Sequence, residues 1–332
     1  MRLLVSFTAR VCSSSLWLIV CSLGWWGGAL PCLGDDGWEG GIAFLNWDND
    51  FTAGTDRHYT HGVHAGWFSR DDHLPGFFKS LSRAIPSLGI NVQAQKWGLG
   101  AGQELYTPGN LQTSEVILND RPYAGWLFGN ASLQRRGQGS FGPLAMETFR
   151  LDFGLIGPPA LGEETQDLVH NKKARGWNNQ LSTEPGLVLS YDRKYRFALR
   201  SRDDFWGFDF IPHAGVSAGN VATYFAVGPA IRFGINLPNE FAAGPAVPPR
   251  FGAYLFTAID GRLVLRNIFL DGNTFQSSHN VEKELLVGDF KAGLTVVLKN
   301  VELTIAQTWR SREFESQKDI DSFGSATVTI KF

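Results

Sequence analysis

The feature that most constrains the fold of this chain is a strict alternation of apolar and polar residues at its C-terminus. Within residues 325–332, Ala326, Val328, Ile330 and Phe332 share one face, and Ser325, Thr327, Thr329 and Lys331 share the other. Successive side chains of a β-strand point to opposite faces, so this pattern predicts a strand with one apolar face. The same alternation recurs in residues 148–155, 290–299 and 301–310.

Less regular alternation predicts further strands and raises the expected total to about twelve. These segments lie near residues 40–48, 57–68, 96–105, 122–134, 184–197, 208–219, 222–235 and 251–265. Many of them approach ten residues, the length that crosses a membrane, whereas strands of globular proteins average about five or six. The chain also ends on Phe332, which resembles the terminal aromatic residue of bacterial outer-membrane barrels.

The composition favours the same fold class. The chain has 38 Gly, 25 Phe and 11 Trp, and only 19% of its residues are charged. A net charge of −2 without a basic block argues against nucleic acid as a partner. We therefore predict an all-β, transmembrane antiparallel β-barrel of about twelve strands, with short helices in extracellular loops. A soluble sandwich or an orthogonal barrel would show the same alternation and is the alternative.

The N-terminal region has the pattern of a secretory signal. Arg2 and Arg10 precede the uncharged stretch 11–30, which small residues follow. We predict a signal peptide over residues 1–34, with cleavage between Gly28 and Gly37, and a single barrel domain over 35–332. An N-terminal membrane anchor is the alternative. All three cysteines lie in residues 12–32, so no disulfide is expected within the barrel.

Two segments break the strand pattern and predict short helices. In residues 74–85, Phe77, Phe78, Leu81 and Ile85 recur at helical spacing, which indicates an amphipathic helix on the barrel rim or at the membrane. Residues 159–174 lie between two predicted strands. A helix there would place Gln166 and His170 on one face, because they are four residues apart.

Hard oxygen ligands are concentrated in residues 46–62. Asp48, Asn49, Asp50 and Asp56 offer carboxylate and amide oxygens, which suit Ca²⁺ better than Zn²⁺. A turn rich in Asp and Asn between two strands explains the same composition. His58, His61 and His64 are spaced by three on a predicted strand, so His61 is expected to face away from the other two.

Two further residues carry potential chemistry. Arg121, within the sequence Asn-Asp-Arg-Pro-Tyr-Ala-Gly-Trp, could bind an oxyanion or form an ion pair on the barrel rim. Ser217 lies in a Gly-x-Ser-x-Gly match, but this pattern marks a nucleophile only between a strand and a helix. Both of its flanks read as strand, so we assign Ser217 to the barrel wall.

Four motifs together resemble the lipid A 3′-O-deacylase family. They are Asp-Asn-Asp-Phe-x4-Asp-Arg-x-Tyr-Thr-x-Gly at 48–62, Asp-Arg-Pro-Tyr-Ala-Gly-Trp at 120–126, Gln-x3-His at 166–170 and Gly-Trp-x2-Gln-Leu-x2-Glu-Pro at 176–185. The resemblance covers essentially the whole chain after the signal. It implies an outer-membrane barrel of a Gram-negative bacterium, embedded in outer-membrane lipids. The implied substrate is the lipid A part of lipopolysaccharide, from which an acyloxyacyl chain is removed with calcium.

The resemblance also implies residue roles. His170 matches the general base, Gln166 its helical companion, and Arg121 an active-site arginine. Asn49 and Asp50 match the pair that serves the calcium site. Asp120 stands where a lysine is expected, and Glu184 is the nearest candidate for a further active-site glutamate.

The expected reaction is calcium-assisted ester hydrolysis. His170 would take a proton from the attacking water, while Gln166 and Arg121 would orient the substrate or stabilise developing negative charge. This assignment places His58 and His213 on strands away from the ester. The alternatives are an outer-membrane phospholipase, a passive porin, and a non-catalytic barrel that binds lipopolysaccharide.

Overall fold

The chain forms a closed antiparallel β-barrel in a computed structural model that describes residues 40–50, 57–169, 173–244 and 249–332. Within these residues each strand pairs with its sequence neighbours, and β1 closes the barrel against β12. The strands are β1 Ile42–Asn49, β2 His58–Phe68, β3 Ile90–Thr107, β4 Ala124–Gly139, β5 Leu144–Ile156, β6 Glu184–Arg200, β7 Trp206–Gly219, β8 Ala222–Ile235, β9 Phe251–Asn267, β10 Leu286–Leu298, β11 Val301–Arg310 and β12 Asp321–Lys331. The predicted barrel of about twelve strands is confirmed.

Short helices lie in the connections between strands. They are α1 Gly76–Ala84, α2 Gly162–Val169 and α3 Ile268–Asp271. The first two occur in the segments where the sequence predicts them, but α1 lies at the end of the barrel where β1 begins, so the expectation that the helices lie in extracellular loops is wrong for α1. No helix within the described ranges is both long and apolar enough to cross a membrane. The predicted signal peptide at 1–34 lies outside the described residues.

The outer surface of the barrel is apolar and its lumen is polar. Along β12, Val328 and Ile330 are exposed on the outside, while Thr327 and Thr329 line the lumen. The lumen holds a cavity of about 1090 Å³ lined by many charged side chains. An apolar exterior around a polar interior is the arrangement of an outer-membrane barrel.

The two ends of the barrel differ. The connections 108–123, 157–183 and 268–285 share one end. The other end, where β1 begins and β12 ends, has the short turns 140–143, 201–205 and 299–300 and two longer connections, 69–89 and 236–250. Because outer-membrane barrels have long extracellular loops and short periplasmic turns, the first is the extracellular end. Near this end an apolar cluster fills the lumen, with Tyr59, Tyr106, Trp126, Phe128, Ile156, Phe269 and Phe323 among its members.

Candidate active site

Arg121 lies at the extracellular end, in the loop that leads into β4, and only 1% of its surface is exposed. Its guanidinium carbon is 4.8 Å from the ring centre of Tyr106. Its Nη1 donates a hydrogen bond of 3.1 Å to Glu313 Oε2. The Nε and Nη2 atoms are buried and donate no hydrogen bond to any described residue. Arg121 therefore keeps hydrogen-bonding capacity for a negatively charged group.

The carboxylate of Glu313 compensates the positive charge of Arg121. Glu313 is buried in the loop after β11, and Arg310 Nη1 approaches its carboxylate at 3.7 Å. Burial raises the pKa of Glu313, but the guanidinium groups of Arg310 and Arg121 outweigh burial and hold the pKa at about 2. The carboxylate is therefore ionised at neutral pH and orients Arg121 through a charge-assisted hydrogen bond.

A second network anchors the backbone of Arg121. Asp120 accepts hydrogen bonds from the backbone N–H of Arg121 at 2.8 Å and of Gly109 at 2.7 Å. His58 lies 3.6 Å from Asp120 on one side and 2.7 Å from Asp321 on the other. Burial raises the pKa of Asp120, but hydrogen bonds from His58 and Gly109 outweigh burial and lower it below the ordinary value.

Asn49 and Asp50 join the same layer of loops. Asn49 ends β1, and both side chains are buried. Asp50 Oδ2 accepts a hydrogen bond of 2.7 Å from the backbone N–H of Arg57. The side chain of Arg57 in turn reaches Asp321, so Asp50 is linked through a short series of contacts to the His58 network and to Arg121.

Strand alternation divides the predicted oxygen cluster. Asp48 lines the lumen, where it accepts hydrogen bonds from Asn46 at 2.9 Å and from the Tyr59 hydroxyl at 3.0 Å. Asn49 follows it in β1 and faces the outer side. Asp56 lies outside the described residues. Within the described ranges, no group of three or more His, Cys, Asp or Glu side chains is arranged to hold a metal ion.

Gln166 lies in α2, which packs on the outer side of β3 and β4. Gln103 faces outward from β3 and donates a hydrogen bond of 2.6 Å to the carbonyl oxygen of Ala160, just before the helix. Gln166 is 1% exposed, and its Oε1 accepts a hydrogen bond of 2.8 Å from Trp177 Nε1. Its Nε2 donates to no described residue. The helix ends at Val169, and His170 lies outside the described residues.

Tyr123 connects the Arg121 and Gln166 environments. It stands two residues after Arg121, and its ring centre is 5.0 Å from that of Trp177. It belongs to a buried cluster with Leu105, Leu111, Ala174 and Trp177 that seats α2 on the barrel. The structure thus brings Arg121, Gln166, Asn49 and Asp50 to the same rim, with Asn49 and Gln166 on its outer side.

Three other residues singled out in the sequence make contacts within the barrel or between its loops. Glu184 accepts hydrogen bonds from Asn273 Nδ2 and from the backbone N–H of Thr274, both at 2.9 Å, and so ties two loops together. Ser217 lies in β7 and bonds Ser190 across the strand pair at 2.8 Å, as expected of a barrel residue. His213 lies in the lumen between two aspartates.

His58 lies on β2, as expected, and it contacts Asp120, the residue before Arg121; its distance from the ester stays a prediction. A register shift between Tyr59 and His61 interrupts the regular pairing of β2, and His58 sits at the strand end beside Asp120. His61 does face away from His64, as predicted: it contacts Trp47 on the outside, whereas His64 contacts Glu104 within the barrel. Sequence reasoning also missed Glu313 and Asp321, because nothing local marks residues that lie so far along the chain from Arg121.

Known proteins of similar sequence and fold place the chain in a family. Residues 17–332 match the family described as "Outer membrane protein LpxR". The solved structure of LpxR from Salmonella typhimurium matches with a TM-score of 0.68 at 19% identity, over 88% of this chain and 100% of that one. This identity shows a shared fold. The β domain of the Bordetella autotransporter BrkA covers 88% of this chain and 99% of its own, at a TM-score of 0.42 and 10% identity.

Comparison with curated protein sequences gives no match. The family match nevertheless spans nearly the whole chain, including every described candidate residue and all twelve strands. The apolar exterior of the closed barrel agrees with a position in the outer membrane. This protein therefore belongs to the LpxR family of outer-membrane proteins.

Proposed function

We propose that this protein is a lipid A deacylase, which hydrolyses the ester of the 3′-linked acyloxyacyl chain with the help of calcium. The observation that carries the proposal is the family match over residues 17–332. The geometry supports it, because Arg121 and Gln166 are buried at the rim and keep hydrogen-bonding capacity for a ligand. Other buried side chains also have polar atoms without a hydrogen bond to a described residue, but several of them, such as Arg136 and Arg196, lie in the strands rather than in the rim loops.

The position of the rim suits a membrane-embedded substrate. Helix α2 packs on the outer side of β3 and β4, where outer-leaflet lipids contact the barrel. Leu161 and Leu168 flank the buried face of this helix and are exposed. Acyl chains could remain in the lipid phase against these leucines while the ester reaches the polar groups beneath the helix. The substrate would not need to leave the membrane.

The proposed chemistry is direct attack by water. His170 takes a proton from water, and the resulting hydroxide oxygen bonds to the ester carbonyl carbon. The carbonyl oxygen becomes negatively charged, and the free donors of Arg121 and Gln166 stabilise it. Collapse of the tetrahedral species breaks the bond to the sugar oxygen, which receives the proton from His170. The products are a free acyloxyacyl acid and a sugar hydroxyl group.

Asn49 and Asp50 are the residues that we propose as calcium ligands. Their oxygen atoms are the donors that Ca²⁺ prefers, and both are buried at the rim. Calcium takes about six to eight oxygen ligands, so backbone carbonyls and water would be needed to complete the set. When bound, calcium supplies Lewis-acid polarisation of the ester carbonyl. The hydrogen bond from Arg57 N–H holds one oxygen of Asp50 in place.

Mass spectrometry of lipid A tests this function. Cells that express the wild type should lose the 3′-linked chain, and His170→Asn should abolish the loss at equal barrel yield. His73→Asn is the matched control, because His73 is exposed at the opposite end of the barrel. In purified protein, a chelator should stop turnover and Ca²⁺ should restore it. Unaltered lipid A with the wild type, or release of fatty acids from glycerophospholipids alone, would overturn the proposal.

A further inference from the structure

The connection between β2 and β3, residues 69–89, begins at the periplasmic mouth of the lumen, where Asp71 pairs with Lys96, and its later part then folds back along the outside of the barrel. We call it the rim strap. It contains α1, whose Phe78 packs on Trp97 with ring centres 5.2 Å apart. Lys96 lines the lumen, so its neighbour Trp97 faces outward from β3. The strap is therefore continuous with the lipid-facing surface of the barrel.

A buried ionic cluster on the outer side of β4, β5 and β6 fixes the strap. Glu147 is fully buried and pairs with Arg135 at 2.6 Å and with Arg193 at 2.7 Å. Arg135 donates to the carbonyl oxygens of Ser82, Ile85 and Pro86 at 2.7–2.9 Å. Arg193 donates to those of Ser87 and Leu88. These bonds hold α1 in one orientation against the barrel.

This orientation leaves α1 with two different free flanks. Phe78 and Ser82 contact the barrel, through Trp97 and Gln95 respectively. At about 3.6 residues per turn, Phe77 and Leu81 lie on one side of this contact stripe, and Lys79 and Arg83 lie on the other. Phe77 is 72% exposed, and both basic residues are exposed as well.

Further apolar side chains are exposed around the strap. Leu88, at the end of the strap, is 64% exposed. Phe141, in the β4–β5 turn, is 87% exposed, and the adjacent Ser140 bonds the strap at Gly89 with its backbone and its hydroxyl group. An aromatic and aliphatic edge next to a basic flank is the pattern of a helix that lies in a membrane interface.

We propose that the rim strap docks on the phospholipid surface of the periplasmic leaflet, with Phe77 and Leu81 among the acyl chains and with Lys79 and Arg83 at anionic headgroups. Continuity with the lipid-facing barrel wall selects a membrane rather than a protein as the partner. The basic flank selects anionic phospholipids, because a lysine or arginine near such a surface gains about 1 kcal/mol, or about fivefold in affinity.

Spin labels on the full-length protein in phosphatidylethanolamine–phosphatidylglycerol liposomes test the docking. After Cys12, Cys21 and Cys32 are changed to serine, one label is placed by Phe77→Cys and a second by Ser80→Cys. We expect the label at 77 to collide more often with oxygen than with a water-soluble nickel complex, and the label at 80 to show the reverse. Equal, water-like accessibility at both positions would overturn the proposal. So would immobilisation of the label at 77 only on adding periplasmic proteins.

Headgroup selectivity is tested separately. A fluorophore at position 80 should be quenched more by nitroxide-labelled phosphatidylglycerol than by the phosphatidylcholine analogue. The ratio of quenching by labelled phosphatidylglycerol to quenching by labelled phosphatidylcholine should fall by more than about tenfold in Lys79→Glu/Arg83→Glu, because two basic groups become acidic. The control Arg202→Glu/Lys299→Glu makes the same charge change elsewhere at this end and should preserve the ratio. An unchanged ratio in the first variant would contradict the headgroup contact. Neither measurement depends on the proposed deacylase activity.

Discussion

At the scale of single residues, Arg121 shows how a buried cation stays available for a ligand. Glu313 compensates its charge through one nitrogen, while the Nε and Nη2 donors make no bond with described residues. Burying an isolated guanidinium would cost much desolvation free energy. A guanidinium with a hydrogen bond on every nitrogen would have no donor left for the substrate. Arg121 lies between these two extremes, with one ion pair made and two donors left. This arrangement suits an oxyanion that forms only during the reaction.

Arg121→Lys should therefore lower kcat of lipid A deacylation by about 10²–10³-fold, the usual loss for one oxyanion donor. A lysine keeps the charge but cannot present two donors in the geometry of the guanidinium fork. Arg175→Lys is the control, because Arg175 is exposed in the same layer of loops. Steady-state kinetics in detergent micelles measures both variants. Equal activity of Arg121→Lys and the wild type would remove Arg121 from the mechanism.

Glu313 predicts a pH dependence of stability. Its pKa of about 2 in the folded barrel lies below the ordinary 4.5, so the unfolded state binds more protons between these values. Its contribution is therefore complete above about pH 4.5 and is lost as pH falls toward 2. The stability difference between wild type and Glu313→Gln, measured by urea unfolding, should shrink as pH drops from 5 to 2. Glu115→Gln, in an exposed loop, controls for the change in net charge.

The sequence could not reveal the residues that support Arg121. Spacing within one segment predicted that Gln166 lies on a helix, because that periodicity is local. Asp321 and His58 meet across the closure of the barrel, 263 residues apart in the chain. Only the register of β1 with β2 and β12 brings them together, and no local pattern encodes such a contact.

At the scale of elements, α2 depends on close packing against the barrel. A Cβ at Gly162 would lie 2.5 Å from the Trp177 ring and 3.5 Å from Leu105. Trp177 in turn donates the hydrogen bond that orients Gln166. The helix can approach the barrel this closely only because residue 162 has no side chain.

Gly162→Ala should thus displace α2 and lower kcat by about 10–100-fold, since small misplacements of positioned groups have effects of this size. The barrel should still fold, because its strands do not depend on this contact. Gly288→Ala is the matched control, as nothing lies within 4 Å of its Cβ position. Heat-modifiable electrophoretic mobility would report the barrel, and kinetics the site. Full activity of Gly162→Ala would show that the position of α2 is not critical.

Strand ends show where pattern reading fails and why. The sequence predicted strands from 96, to 134 and to 197, but β3 begins at Ile90, β4 continues to Gly139 and β6 to Arg200. The extension of β4 carries the outward-facing Arg135, which donates hydrogen bonds to the rim strap. Strand β5 begins at Leu144 rather than at 148, and this extension carries Glu147, the outward-facing partner of Arg135. A lipid-facing strand is expected to carry apolar residues on its outward face. Charged outward residues break this apolar–polar alternation, so the strands predicted from it are shorter than the observed ones.

At the scale of the whole molecule, the barrel has to suit two environments, the lipid around it and the polar lumen inside it. Each strand presents apolar side chains to lipid and polar side chains to the lumen, and closure pairs the backbone groups of every strand. Alternation is therefore the one property that every strand must keep, which explains why the fold class was predictable from sequence. The loops carry the candidate site and are free of this constraint.

The two faces of β12 predict opposite responses to the same substitution. Val328 faces lipid and Thr329 lines the lumen cavity, although they are adjacent. Val328→Arg should destabilise the barrel by about 2–4 kcal/mol, the cost of a lipid-facing arginine near the bilayer midplane. Thr329→Arg adds the same side chain to a polar, hydrated cavity and should leave stability near that of the wild type. Urea unfolding from liposomes, followed by tryptophan fluorescence, gives both values. Equal stability of the two variants would contradict the assigned orientation of the strand and, with it, the insertion of this barrel in a membrane.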